Sequence, residues 1–357
     1  MPYSLQDFDF VLPKELIAQE PAHPRDQARL LVYNRQDKSI TDDYFYNLEK
    51  YLPKQTTLVL NNSKVEKCRL QFGDKVEIFV LETVNPTTVR ALVRPGKLFR
   101  LNEESDVKGF KVKTVAIDES GIRTIHLDRP IDDKSFDKYR LTPLPPYIAQ
   151  DESLADEYQT VYAKPLGSKA APTAGLHFTP ELLKELQKKH ETVEVTLHVG
   201  LGTFAPVKTD DLTHHVMHEE MFEISAEAAA HLNKAQHITA VGTTAVRTLE
   251  SATHPFQAQT DATSIFITPG YEFKKVDSLI TNFHLPKSTL LMLVAAFMNS
   301  VDELHRLYAH AISEEYRFYS FGCDADLVKI TNLIFLEKVH SYGTLMLSKD
   351  TGSPAWT

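Results

Sequence analysis

Hydrophobic residues recur with two different rhythms along this chain. Between Lys75 and Leu127 the runs V-E-I-F-V-L, V-R-A-L-V-R, F-K-V-K-T-V-A-I and R-T-I-H-L alternate apolar with polar positions, with turn-like residues between them. Period-two runs spaced this way predict short half-buried strands in a small antiparallel barrel or sandwich. Outside this region the pattern is different. Leu30–Tyr33, Thr57–Leu60, Ile238–Val241 and Ser264–Thr268 are short apolar strand candidates. Helical patterns follow several of them, at Ala226–Gln236, after Gly242 and over Leu290–Met298. Strands alternating with helices predict an α/β domain.

The stretch Ala171–Val207 has the densest local logic. Thr179 suits an N-cap, Pro180 the first helical position and Glu181 the positive end of a helix. Leu182, Leu183 and Leu186 give that helix one apolar face. The period then changes to two. Val193, Val195, Leu197 and Val199 point one way, and Glu194, Thr196 and His198 the other. His198 therefore ends the polar side of a strand just before Gly200 and Gly202. In α/β proteins such loops, at the carboxyl ends of strands, hold ligands.

Two further stretches belong to the same logic. Gly242-Thr243-Thr244 joins a strand to a helix carrying Arg247 and Glu250, and free N–H groups at a helix start suit an anion. Asn282-Phe283-His284-Leu285-Pro286-Lys287-Ser288 leads into the apolar helix, with Ser288 near its N-cap and Lys287 or Ser288 within reach of a ligand. Neither G-x-x-x-x-G-K-[ST] nor G-x-G-x-x-G is present.

Composition sets bounds on these readings. The chain has 357 residues, 42% hydrophobic and 24% charged, in the range of a globular protein with two domains. Two cysteines, Cys68 and Cys323, are too few for a disulfide framework or a four-thiolate zinc site. The first residues lack the pattern of a secretory leader, and Leu290–Met298 is too short to span a bilayer. A cytoplasmic protein without a membrane partner is expected. The net charge of −9 disfavours indiscriminate binding of polyanions. Arg90, Arg94, Lys97, Arg100, Lys108, Lys111 and Lys113 nevertheless concentrate positive charge on the alternating region, read either as a solvated face or as a face that tracks RNA. Arg25, Asp26 and Arg29 read either as a surface ion-pair cluster or as a contact for a phosphate or carboxylate, which arginine geometry suits.

Ten of the 15 histidines fall between His177 and His284. If H-H-V-M-H-E-E were helical, His214 and His218 would share a face and suggest zinc. With no H-E-x-x-H and no clear third ligand, proton transfer or ligand hydrogen bonding suits the histidines better, and no metal is expected.

Several strings resemble one family, the S-adenosylmethionine:tRNA ribosyltransferase-isomerases of queuosine biosynthesis. They include D-F-D-F-V-L-P-K-E-L-I-A-Q-E-P, L-P-P-Y-I, A-A-P-T-A-G-L-H-F-T, T-L-H-V-G-L-G-T-F, V-G-T-T-A-V-R-T-L-E-S, L-I-T-N-F-H-L-P-K-S-T-L-L-M-L and Y-R-F-Y-S-F-G. The resemblance covers residues 5 to about 322. It implies a large discontinuous α/β domain, 1–65 and 151–357, interrupted by a small antiparallel β-barrel domain over 66–150. It also implies transfer and isomerisation of the ribosyl part of S-adenosylmethionine onto 7-aminomethyl-7-deazaguanine at the tRNA wobble position. The products would be epoxyqueuosine-tRNA, adenine and methionine, with S-adenosylmethionine a consumed substrate, no cofactor and a monomeric enzyme. The chain departs from the family pattern at N-N-S-K-V-E-K-C-R-L, at Val89 and in the ending F-G-C-D-A-D-L-V-K-I, which opens a tail over 323–357.

Such chemistry needs a base beside the sulfonium, a proton for the leaving adenine and a clamp for the methionine carboxylate. His177, His198, His218 and His284 are the candidate acid/base groups. Arg247 with Gly242, Thr243 and Thr244 is the expected clamp. Thr173, Gly175, Gly200, Gly202, Thr203, Asn282 and Lys287 are expected against substrate, with Phe178, Phe204, Tyr271 and Phe283 available to stack on adenine or the RNA base. Two other classes stay open: a histidine- or metal-assisted hydrolase or lyase of a nucleoside-like molecule, and a non-catalytic RNA-binding module.

Overall fold

The computed structural model describes residues 3–145, 147–200, 207, 211–318 and 324–329. Two large sheets organise the chain. The first has nine strands in the spatial order Gln259–Thr263, Glu220–Ile224, Glu191–Leu197, Thr57–Asn61, Ile238–Val241, Ser278–Asn282, Asp324–Lys329, Arg29–Asn34 and Ile40–Tyr44. The four strands from Glu191–Leu197 to Ser278–Asn282 run parallel. Parallel strands are covered on both faces, which removes the alternation of a half-solvated strand. Accordingly every residue of Thr57–Asn61, Ile238–Val241 and Ser278–Asn282 is buried.

Two apolar layers do the covering. On one face Val59, Val193, Val195, Ala240 and Leu279 pack with the helices Ala226–Leu232, Thr243–Ser251, Thr289–Met298 and Val301–Ser313. On the other, Leu30, Leu58, Leu60, Val241 and Ile280 meet Phe45, Leu48, Phe178, Leu182 and Leu186. The sequence accounts for the helix Pro180–Gln187 directly: Thr179 Oγ1 accepts the Leu182 N–H at 3.1 Å, Pro180 opens the helix and Leu182 and Leu186 are its buried face. Ser288 likewise caps Thr289–Met298, accepting the Leu291 N–H at 3.2 Å.

The second sheet is antiparallel throughout, in the order Arg140–Leu141, Arg69–Phe72, Val76–Asn85, Thr88–Arg94, Arg123–Leu127, Phe110–Ile117 and Glu104–Val107. It curls over a core of its own, built from Leu70, Phe72, Ile78, Val89, Phe110, Ile125, Leu127 and Phe136. The four alternating runs read from the sequence are four of its strands. Three of its basic residues face carboxylates: Arg90 lies 3.2 Å from both Glu82 and Asp118, and Arg100 and Lys111 face Glu103 and Glu104 at 3.9 Å.

Three expectations need correction. The strand placed at Ser264–Thr268 lies at Gln259–Thr263. An edge strand with one partner needs no apolar run, and Ile265, Phe266 and Ile267 pack into the core instead. The segment carrying His214 and His218 is a single 3-10 turn, Leu212–His214, and is not helical beyond it, so the two rings share no helix face. Within the divergent ending, Asp324–Lys329 is no tail. It fills the place between Ser278–Asn282 and Arg29–Asn34, antiparallel to the first and parallel to the second.

Candidate active site

The carboxyl ends of the parallel strands converge on a cleft with an empty volume of about 710 Å³, counting the open solvent at its mouth. Three of these ends contribute walls: Val199 beyond Glu191–Leu197, Gly242–Thr244 beyond Ile238–Val241, and Thr281–Leu285 at the end of Ser278–Asn282. Ala170–Ala174, Tyr147, Ser288 and Leu290 close the remaining sides. Thr57–Asn61 is the first strand of this parallel set in the chain. The next, Glu191–Leu197, lies on one side of it, and Ile238–Val241 on the other. Such a switch in direction opens a crevice between neighbouring loops.

Several predicted residues meet here: Thr173, Gly242, Thr243, Thr244, Asn282, Phe283 and His284 all line the cleft. Gly242 takes φ +89°, a left-handed backbone that favours glycine, and turns the chain directly into the helix Thr243–Ser251. The first N–H groups of that helix have no partner within it, which suits a carboxylate. Thr244 adds a buried hydroxyl without a hydrogen-bond partner.

His284, also in the cleft lining, is half-buried. Its Nε2 lies 2.9 Å from Thr281 Oγ1, and its backbone N–H donates to Tyr308 at 3.0 Å. Burial drives its pKa well below the usual histidine value. His177 is set behind the wall: its Nε2 is 2.9 Å from Asn282 Nδ2, and its ring packs 5.2 Å from Phe45. Burial, with Arg25 and Arg317 adding to it, pushes the His177 pKa down to about 3. The ring is thus neutral, and with Nε2 unprotonated it accepts the Asn282 amide N–H. His198 is half-buried against Gly167. A Cβ on Gly167 would come within 2.8 Å of its Nδ1. Its pKa is lowered by burial and then by Lys169.

Other predicted residues have partners within the fold. Arg247 does not line the cleft; it is buried and ion-paired with Glu220. The second Glu220 oxygen accepts the Gly200 N–H at 2.8 Å, tying Gly200 to this pair. Tyr271 donates to Glu250 at 3.0 Å, and Glu250 also accepts the N–H groups of Lys274, Lys275 and Val276. Phe178 is fully buried between Phe45 and Tyr162. Phe283, although in the cleft lining, is buried with its ring packed on Tyr308, Tyr316 and Phe318. A Cβ on Gly175 would fall 1.9 Å from Tyr162 Oη, so this glycine answers to packing. Lys287 pairs with Asp9 at 2.8 Å. His218 is exposed and is not part of the cleft. Gly202, Thr203 and Phe204 lie outside the described residues. Arg25 reaches Glu157 at 2.9 Å, and Asp26 accepts from Thr179 at 3.1 Å, so the early charges bind other segments rather than one another.

Sequence reasoning missed Tyr147, Pro172 and Thr281 as cleft residues. Tyr147 lies in L-P-P-Y-I, one of the strings that carry the resemblance, where nothing local marks it as a cleft residue. Asn61 was also missed: its side chain accepts the Leu197 N–H and donates to the Leu197 carbonyl, both at 3.0 Å, and so continues the strand pairing.

Fold and cleft together define a mixed α/β protein whose ligand site lies at the carboxyl ends of its parallel strands, with a helix start on one wall and neutral histidines at or behind the others. A family model described as "Queuosine biosynthesis protein" matches residues 5–328, and the chain belongs to that family. An S-adenosylmethionine:tRNA ribosyltransferase-isomerase from Sulfurihydrogenibium sp. is 47% identical over 340 residues, 91% of this chain and 99% of the relative. One from Thermotoga maritima is 45% identical over 336 residues with the same coverage. The crystal structure of S-adenosylmethionine tRNA ribosyltransferase from Thermotoga maritima matches with TM-score 0.52 and 36% identity, covering 90% of this chain and 99% of that one.

Proposed function

We propose that this chain is an S-adenosylmethionine:tRNA ribosyltransferase-isomerase. It transfers and isomerises the ribosyl moiety of S-adenosylmethionine onto 7-aminomethyl-7-deazaguanine at the tRNA wobble position, releasing adenine and methionine. The observation that carries this reading is identity of 45–47% across 91% of the chain to relatives so named, and a cleft at the strand ends is consistent with it. The N–H groups at Thr243 and Thr244 receive the methionine carboxylate. His284, neutral and on the cleft wall, is the first choice for the base that takes a proton beside the sulfonium. His198 is the second. His177 acts through Asn282, whose amide it orients, rather than on substrate. The architecture that goes with this reading is an α/β domain of 1–65 and 151–357 with a barrel domain of 66–150 inserted, in a monomeric cytoplasmic protein that uses no cofactor.

The test is incubation with S-adenosylmethionine and tRNA bearing the precursor base, followed by assay of adenine, methionine and modified tRNA. All three products are expected. Adenine release without tRNA modification would point to a hydrolase, and RNA binding without turnover to a binding module. Among the histidine variants, His284→Ala is expected to lose at least about a hundredfold in kcat. Near-wild-type turnover in both His284→Ala and His198→Ala would remove the acid/base assignment.

A further inference from the structure

The edge strand Ile40–Tyr44 runs straight into the 3-10 helix Phe45–Lys50, and across that junction Tyr44 and Tyr46 bracket a buried phenylalanine. Tyr44 and Tyr46 are 46% and 48% exposed, while Phe45 between them is fully buried. The two exposed rings stack on each other, with centroids 5.5 Å apart and planes within 8°. Phe45 anchors them from below, packing 5.2 Å from His177 and 5.0 Å from Phe178. A preformed aromatic stack on a buried anchor loses little freedom when a flat ligand adds to it.

Its place in the sheet gives it meaning. Asn282, on the cleft wall, pairs across the strands with Ala325, Ala325 with Leu30, and Leu30 with Asp43, the residue next to Tyr44. Three strand spacings separate the tyrosines from the cleft, roughly 14 Å. Ile40–Tyr44 runs in the same direction as the parallel strands, so its carboxyl end lies at the same end of the sheet as the cleft. The neighbouring carboxylates are engaged elsewhere: Asp43 by Tyr51, Asn47 and Lys50, and Asp42 by Tyr316 and His310.

We infer that Tyr44 and Tyr46 form a stacking platform for an unpaired nucleotide of the RNA substrate flanking the base held in the cleft. This rests on the RNA substrate of the proposed function and adds a contact surface to it. Stacking on aromatic rings is how proteins commonly hold splayed bases of single-stranded loops, and it needs no positive charge.

Steady-state kinetics with an anticodon stem-loop RNA carrying the precursor base test the platform. The double variant Tyr44→Ala/Tyr46→Ala is expected to raise KM for the RNA about tenfold, leaving KM for S-adenosylmethionine and the melting temperature unchanged. Tyr44→Phe/Tyr46→Phe is expected to keep wild-type values, because the ring and not the hydroxyl carries the contact. Abasic substitution of the flanking nucleotides, one at a time, should reproduce the loss at one position in the wild type and add nothing in the alanine variant. Wild-type turnover with an unchanged KM for the RNA in the alanine variant overturns the platform and leaves the proposed activity standing. A wild type without turnover removes the activity itself. A drop in sedimenting mass in the alanine variant would assign the tyrosines to self-association and also overturn the platform.

Discussion

The two sheets differ most in what they bury. The seven-stranded sheet encloses leucine, valine, isoleucine and phenylalanine, and Thr114 is the single buried polar residue of its strands. Around the parallel strand ends of the nine-stranded sheet the interior also holds Asn61, Asn62, Ser63, Ser168, His177, Thr196, Glu220, Thr243, Arg247 and Asn282. Burying polar groups costs free energy unless each is hydrogen-bonded, so a region that accumulates them does so for more than stability. The seven-stranded sheet reads as scaffold. The nine-stranded sheet keeps its polar interior where the loops meet the cleft.

Breaking the polar interior gives the largest expected effect. Arg247→Ala strands the Glu220 carboxylate in a buried place and is expected to cost about 3–5 kcal/mol, read by urea unfolding. If the two sheets were energetically alike, the variant would cost no more than an exposed pair. Next comes Gly175→Ala, whose new Cβ would meet Tyr162 Oη at 1.9 Å and Thr160 Cγ2 at 2.9 Å. Overpacking of this kind is expected to cost about 1–3 kcal/mol, visible as a lower melting temperature.

The third prediction concerns pH. Burial holds the folded pKa of His177 at about 3, below the ordinary histidine value of about 6.5, so the unfolded chain binds the proton first. The stability this ring contributes is complete above pH 6.5 and is lost as pH falls from there toward 3, with a slope of up to about 1.4 kcal/mol per pH unit. His177→Gln, measured by urea unfolding at stepped pH, should flatten the curve by one proton in that window. An unchanged slope would show that the ring titrates normally. The smallest effect belongs to the scaffold: Arg90→Ala removes two exposed ion pairs of the seven-stranded sheet and should change stability by less than about 1 kcal/mol.

Much of this contrast was legible before any coordinates. Alternation marked four strands of the second sheet because one of its faces is solvated, and capping chemistry placed the starts of Pro180–Gln187 and Thr289–Met298 to within a residue. The loops after the strands read as a candidate site from their position, and Thr173, Gly242, Thr243, Thr244, Asn282 and His284 do line one cleft. What stayed hidden was the use of each side chain. Arg247 and Glu220 are 27 positions apart, and nothing local tells a buried partner from a ligand clamp. Phe178 and Tyr271 look free to stack until tertiary packing shows them engaged with Phe45 and Glu250. Asp324–Lys329 carries too many charges to read as an interior strand, and only its two neighbours define it.

That strand also sets an order of assembly. The hairpin Arg29–Tyr44 is made early in synthesis, yet its link to the parallel strands runs through a segment translated almost 300 residues later. Contacts so distant in sequence close slowly, and until they close the edges of both neighbours are open to wrong pairing. The tyrosine platform and the cleft thus acquire their spacing only when Asp324–Lys329 docks, which makes the last strand to arrive the one that sets the distance between them.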